Sequence, residues 1–203
     1  MKKKIVILDY KVGNFTSLKN TIEQLGYNVV ISNNKIILKN SNYLILPGVG
    51  NFGEAIVNLK KMNLFNYIKF LAKKKRKKII GICLGMQVLC ANSQEAPGIK
   101  GLSIFNGNVI KLNKNNIGWR KIIIHKKDSN FIFCNNNYFY FNHLYAYNNK
   151  EVKLAEGYFN SSKIYPAIIK NKNVIGVQFH PEKSQDSGKK FFLEIFSNNN
   201  LYS

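Results

Sequence analysis

The segment Gly81-Ile82-Cys83-Leu84-Gly85-Met86-Gln87 sets a cysteine between two glycines. It follows the apolar pair Ile79-Ile80 and leads into Val88-Leu89-Cys90-Ala91. Gly-x-Cys-x-Gly between a strand and a helix has the design of a hydrolase nucleophile elbow, with sulfur in place of oxygen. The glycines allow a sharp turn and close strand–helix packing. The thiol then stands at a helix N-terminus, where the dipole and free N–H groups favour a thiolate. Taken alone, the same residues also describe a buried core cysteine, a common fate of a free thiol.

A cysteine nucleophile needs a base, and the base needs an orienting group. The chain has three histidines, His125, His143 and His180. His180 stands in Gly176-Val177-Gln178-Phe179-His180-Pro181-Glu182, at the end of an apolar run. Pro181 ends the strand and bends the chain, which lets the Glu182 carboxylate turn back toward the imidazole. Cys83, His180 and Glu182 together fit a Cys-His-acid arrangement. His143 stays open between a structural and a site role, and His125 reads as a surface residue.

These groups need a scaffold. Ile5-Val6-Ile7-Leu8 reads as a buried strand. Phe15, Leu18, Ile22 and Leu25 mark one face of a helix closed by Gly26. Tyr27 to Ile31 and Tyr43 to Leu46 read as further strands, and Gly53 to Lys75 as helix with a break near Asn63. Lys78 to Ile82 feeds the elbow, and Met86 to Asn92 is the helix after it. This alternation predicts an α/β fold with a mostly parallel, doubly wound sheet flanked by helices. After Pro97 the texture is β-rich: Ser103 to Leu112, Trp119 to His125, Tyr138 to Tyr147, Val152 to Phe159, Ile164 to Lys170 and Val174 to Phe179. These stretches predict antiparallel hairpins added at the sheet edge in the C-terminal half. Gly188 to Ser197 reads as a closing helix. Without a repeat or linker, residues 1–203 are expected to form one domain.

Composition narrows the function. No apolar run reaches the roughly 18 residues of a membrane span, and the N-terminal apolar stretch is too short for a signal peptide, so no membrane association and a cytoplasmic location are expected. Cys83, Cys90 and Cys134 have no metal-ligand spacing and are odd in number, which suits a reducing compartment. The net charge of +21 suggests nucleic acid at first sight. Of the 31 basic residues, however, only Arg76 and Arg120 are arginine, the side chain that phosphate and base readers favour. Lys, Asn and Ile rise together along the whole chain, which points to compositional drift rather than a binding patch. The run Lys73 to Lys78 reads as a solvated helix end.

On these residues the chain resembles the class I (triad) glutamine amidotransferases. Within them it is most similar to the glutaminase subunits of imidazole glycerol phosphate synthase. The likeness runs essentially end to end. It rests on Leu46-Pro47-Gly48-Val49-Gly50-Asn51-Phe52, the Cys83 elbow, Gly118-Trp119, Tyr138 to Tyr145, and Gly176 to Ser184. The resemblance implies hydrolysis of the glutamine side-chain amide through a thioester, without metal or cofactor. Cys83 would attack, His180 would move the proton, and Glu182 would orient the imidazole. The Val49 and Leu84 N–H groups would receive the oxyanion, the former after a peptide rearrangement that the glycines make cheap. Gly50, Gln87, Glu95 and Leu144 would hold the substrate, with Glu95 on its ammonium group. The implied partner is a (β/α)8-barrel cyclase of histidine biosynthesis that consumes the ammonia, docked at Asn14, Trp119, Tyr140 and Lys183.

The chain departs from the family pattern in places. Asn115-Asn116 stands where a Pro-His pair is usual, Arg120 where Asn follows the tryptophan, Leu144 where Ser or Thr follows the histidine, and Ser103 where Gly is common. These changes touch docking and substrate contacts rather than the triad. Other readings of the same residues are a paralogous glutaminase serving a different ammonia-using synthase, a catalytically degenerate structural subunit, and a basic binding module.

Overall fold

Strand β1 (Ile5–Leu8) shows how this chain makes a sheet buried on both faces. All four of its residues are buried. Ile5 and Ile7 belong to one apolar cluster, Val6 and Leu8 to the other. That is the period-two alternation of a strand covered on both sides. In the computed structural model, which describes residues 3–74, 76–125, 129–148, 155–160 and 163–202, the same logic builds the parallel half of the sheet.

Helix α1 (Phe15–Glu23) follows β1, capped by the Asn14 side chain, which accepts from the Ser17 N–H. Next come β2 (Val29–Ser32), α2 (Lys35–Asn40), β3 (Tyr43–Leu46), α3 (Phe52–Lys61) and α4 (Phe65–Ala72). The expected break near Asn63 is real: Asn63 takes a φ of 55° between α3 and α4. The short α2 was not anticipated. Strand β4 (Lys78–Ile82) leads into α5 (Leu84–Val88). The C-terminal half holds β5 (Asn92–Ser93), β6 (Asn108–Ile123), β7 (Tyr138–Asn148), β8 (Ala155–Asn160), β9 (Ile164–Asn171), β10 (Val174–Val177) and α6 (Gln185–Ser197).

The strand order is β2-β1-β3-β4-β10-β9-β8-β6-β5, with β7 paired to β6. Strands β2, β1, β3, β4 and β10 run parallel. Beyond β10, the β9, β8 and β6 neighbours are antiparallel. One face of the sheet is covered by α1 and α6, through Leu18, Ile22, Phe191, Phe192, Ile195 and Phe196. The other is covered by α2 to α5, through residues such as Leu38, Ile56, Leu59, Ile68 and Met86. The fold is thus a single α/β domain, as the alternating pattern predicts.

The β-rich half differs from expectation in one respect. Of the two strands anticipated from Ser103 to Leu112 and from Trp119 to His125, residues 108–112 and 119–123 belong to one long strand, β6, while residues 103–107 precede it and residues 124–125 lie past its end. The pairing of β6 with β7 slips between Lys111 and Asn116. This irregularity absorbs the polar stretch that reads as a loop in the sequence. Of the strand expected from Val152 to Phe159, residues 152–154 lie outside the described residues, and the rest falls in β8.

The lysine run also divides. Lys73, Lys74 and Arg76 are exposed beyond the end of α4, as a solvated helix end should be. Lys77 is buried, and its ammonium donates to the Leu38, Lys39 and Ser41 carbonyls and to Ser41 Oγ, closing the C-terminus of α2. Burial lowers its pKa to about 8. Among the described residues no helix is long and apolar enough to cross a membrane.

Candidate active site

Strands β4 and β10 lie side by side and parallel, with Gly81 opposite Gly176 and Ile82 opposite Val177. Their carboxyl ends therefore deliver Cys83 and the Gln178–His180 segment to the same edge of the sheet. In open α/β sheets, ligands bind outside the carboxyl ends of the strands.

Cys83 closes β4 and caps α5 with φ 50° and ψ −107°, an unusual conformation for a residue with a side chain. Its N–H donates to the Val177 carbonyl at 2.7 Å, fixing the turn to β10. The glycines around it are demanded by close backbone approach. A Cβ on Gly85 would sit 1.9 Å from the Leu46 carbonyl oxygen, and one on Gly48 would sit 1.9 Å from the Ile82 oxygen and 2.3 Å from the Leu84 nitrogen. The loop after β3 is thus stacked directly on the elbow, which brings the Val49 and Leu84 segments to one wall. The fully buried Tyr10 hydroxyl donates to the Pro47 carbonyl and anchors the start of that loop.

His180 is 1% exposed, and its Nδ1 lies 2.8 Å from Glu182 Oε1. The Pro181 turn produces this contact, since residues 181–183 form a short 3-10 turn. The His180 N–H donates to the Tyr140 carbonyl at 2.8 Å, and the Ser184 hydroxyl donates to the His180 carbonyl while accepting from the Tyr140 N–H. Burial acts to lower the His180 pKa, but negative charge at Cys83 and the Glu182 carboxylate outweigh it and raise the value to about 10. The Glu182 carboxylate and the position of Cys83 thus favour the cationic form of the imidazole.

Cys83, Leu84, Gly48, Val49, Gly50, Gln87, Glu95, Leu144 and His180 line one cavity of about 390 Å³. The catalytic, oxyanion and substrate-binding candidates thus share one chamber, except Glu182, which stands behind His180. Glu95 is partly committed there, since its Oε2 accepts the Phe52 N–H at 2.8 Å. Asn115, Ile117, Asn142, His143 and Tyr145 complete the wall and were not assigned side-chain roles from the sequence.

His143 is a neutral wall residue. Its Nδ1 faces the Tyr145 carbonyl at 2.9 Å and must donate, which leaves Nε2 to accept from Asn116 Nδ2 at 2.9 Å. Burial lowers its pKa to about 3. Asn116, the departure from the Pro-His pattern, is fully buried, and its Oδ1 has no hydrogen-bond partner among the described residues. His125 is exposed and stands apart, against the Tyr158 ring.

Three of the four docking candidates form one cluster beside the cavity. The Trp119 ring, 40% exposed, packs edge-on to Tyr140 with centroids 6.1 Å apart, and the Lys183 ammonium lies 5.7 Å from the Tyr140 ring centre. Asn14 is exposed at the N-terminus of α1. Among the described residues, no cluster of three His, Cys, Asp or Glu side chains is placed to hold a metal ion.

The glutamine amidotransferase class-I family model matches residues 6–199. The chain is 40% identical over 192 residues to the imidazole glycerol phosphate synthase subunit HisH of Caldanaerobacter subterraneus subsp. tengcongensis, covering 92% of this chain and 94% of that one. It is 38% identical over 200 residues to the HisH subunit of Buchnera aphidicola subsp. Acyrthosiphon pisum, covering 94% and 99%. Among solved structures, a chain of PurLQS from Thermotoga maritima shares the fold, with a TM-score of 0.76 at 20% identity, over 97% of this chain and 98% of that chain. A family match across nearly the whole length, joined to relatives of this identity, means that the chain belongs to the class-I glutamine amidotransferases, in the branch of HisH subunits.

Proposed function

We propose that this protein is the glutaminase subunit of an imidazole glycerol phosphate synthase, working in the cytoplasm and passing ammonia to a (β/α)8-barrel cyclase in histidine biosynthesis. The observation that carries the reading is the shared cavity of Cys83 and His180, with Glu182 hydrogen-bonded behind the imidazole.

The Cys83 thiolate attacks the side-chain amide carbon of glutamine. Negative charge moves to the amide oxygen, where the Leu84 N–H and a Val49 N–H receive it. Imidazolium His180 gives its proton to the departing nitrogen, so ammonia leaves and a thioester remains. Water then attacks the thioester carbon, with His180 taking its proton. Collapse frees glutamate and restores the thiolate. Glu182 holds the imidazole and offsets its charge throughout. Gly50, Gln87 and Leu144 shape the binding site, and Glu95 meets the substrate ammonium.

Ammonia is a useful nucleophile only when neutral, so it must pass to the synthase without meeting bulk water. The cluster of exposed Trp119 with half-buried Tyr140 and Lys183, together with Asn14, is the docking surface in this reading. Tyr140 also holds the His180 backbone, which gives the partner a short physical route to the base.

Glutamate release by the purified chain tests the proposal, with and without the barrel cyclase and its nucleotide ligand, beside Cys83→Ala. The expected result is weak release alone, a large increase with partner and nucleotide, and none in the variant. Equal release with and without the partner would remove the coupling from this account. Release that persists in Cys83→Ala would remove the nucleophile.

A further inference from the structure

A chain of buried hydrogen bonds ends on the nucleophilic sulfur. The Tyr145 carbonyl accepts from His143 Nδ1 and from Gln87 Nε2, each at 2.9 Å. The same Gln87 nitrogen lies 3.4 Å from Gln178 Oε1. Gln178 Nε2 in turn lies 3.6 Å from Cys83 Sγ. Gln178 is 0% exposed, on the segment that joins β10 to His180.

The direction of every bond follows from the carbonyl. An oxygen with no hydrogen must be met by donors, so Gln87 turns its NH2 toward Tyr145. The second hydrogen of that NH2 needs an acceptor, which sets the Gln178 oxygen toward Gln87. The Gln178 NH2 is then left pointing at the sulfur. On another side of the sulfur stands the Asn142 carbonyl, at 4.0 Å. A thiol can donate to that carbonyl, whereas a thiolate accepts from Gln178.

We propose that Gln178 is a further residue of the catalytic machinery, its buried amide oriented by Gln87 and donating an N–H to the Cys83 sulfur to favour the thiolate. This rests on the reading of Cys83 as nucleophile. An amide suits the task because it stabilises negative charge without carrying a proton that would compete with His180. In a water-poor cavity such a donor acts more strongly than in bulk solvent. A glutamine in an otherwise apolar run, Val174-Ile175-Gly176-Val177-Gln178-Phe179, is otherwise costly to bury.

The test is the pH profile of alkylation by iodoacetamide on the whole chain, comparing the native protein with Gln178→Met and Gln178→Glu. Cys90 and Cys134 are fully buried, with thiols pushed far above the ordinary range by desolvation, and Cys83→Ser gives their background. Gln178→Met removes the donor at similar volume and is expected to move the alkylation midpoint up by about one pH unit, with rates roughly tenfold lower below it. Gln178→Glu keeps the shape and sets a carboxylate against the sulfur, so its midpoint is expected to rise further. It also serves if the methionine variant does not fold. In glutaminase kinetics the loss should fall on kcat, with KM little changed.

Alkylation profiles that coincide with the native one in either folded variant would overturn the proposal. The assay needs neither glutamine nor partner. A shifted profile without any native glutamate release would therefore defeat only the glutaminase reading, and an unshifted profile with normal release only this one.

Discussion

The carboxylate of Glu95 accepts the backbone N–H of Phe52 at 2.8 Å, so the residue proposed to meet the substrate ammonium also holds the first turn of α3. The first N–H groups of a helix lack partners within it, and negative charge there complements the dipole. The loop from Pro47 to Asn51 runs directly into that turn. Glu95 therefore connects the cavity to the loop that carries Val49. Glu95→Gln keeps the acceptor and loses the charge. The expected outcome is a KM for glutamine raised about tenfold or more, by the worth of a charged hydrogen bond, with the melting temperature nearly unchanged. Glu95→Ala loses both roles and should also lower the melting temperature by a few degrees, since about 1 kcal/mol moves a domain of this size by about 2–4 °C. Unchanged KM in both variants would confine Glu95 to its helix.

The two buried histidines and Lys77 give stability a readable pH dependence. His180 has its folded pKa raised from 6.5 to about 10, so its contribution is fully present below 6.5 and is lost as pH rises through about 10. His143 is lowered from 6.5 to about 3, so its contribution is present above 6.5 and is lost as pH falls toward about 3. Lys77, lowered from 10.5 to about 8, adds stability as pH rises from about 8 to 10.5 and opposes His180 there. The proton that His180 gains is the one Cys83 gives up in the proposed thiolate–imidazolium pair, so that pair changes the number of bound protons little between 6.5 and about 8. The acid side is the readable one: stability to urea should fall as pH drops from 6.5 toward about 3, by up to about 1.4 kcal/mol per pH unit. His143→Gln should soften that slope. An acid slope unchanged in His143→Gln would contradict the neutral state given to His143.

The elbow glycines should be far less replaceable than a turn glycine. Gly26 has φ +83°, but nothing lies within 4 Å of a Cβ built on it. Gly26→Ala should cost about 1–2 kcal/mol, the strain of a left-handed conformation alone. Gly48→Ala and Gly85→Ala would each drive a methyl to 1.9 Å from a backbone oxygen, with no flexible side chain to yield. Both are expected to abolish folding or to leave protein without an ordered elbow. Circular dichroism and urea titration of the three variants, side by side, check this. Gly48→Ala as stable as Gly26→Ala would show that the loop stands off the elbow in solution.

What the sequence reveals follows the physics of each element. Strands β1, β3 and β4 coincide with apolar runs because a strand buried on both faces needs no pattern beyond continuity. The Cys83 elbow and the His180–Glu182 turn are local motifs, so their geometry is carried by adjacent residues. Helix α2 was missed because only Leu38 is buried in it, while Ile36 and Ile37 face solvent. Its C-terminus is closed by Lys77, far along the chain, in a run that reads as solvated charge. Asn116 and His143 meet through the register of β6 and β7, which no local spacing encodes. Gln178 could have been noticed as the one amide in the apolar run from Val174 to Phe179. Its partner sulfur depends on which strands are neighbours, and only the β4–β10 pairing supplies that.

The cluster of Trp119, Tyr140 and Lys183 should carry much of the affinity for the partner. Trp119 is 40% exposed, and Ile117 and Tyr138 nearby on β6 and β7 are 52% and 54% exposed. Aromatic anchors of this kind dominate interfaces, and their truncation costs about 2 kcal/mol or more. Trp119→Ala is expected to weaken cyclase binding about thirtyfold or more by calorimetry, with the melting temperature of the free subunit within a degree or two of native. Lys183→Glu should weaken binding and make it less sensitive to salt, since a charge contact is removed. Tyr140→Phe should bind almost normally, because the ring that packs against Trp119 and Lys183 is kept. Stimulated glutaminase activity should follow binding in each case, recovering in Trp119→Ala when the partner is in large excess. Full affinity in Trp119→Ala and Lys183→Glu together would move the docking surface to another face of the molecule.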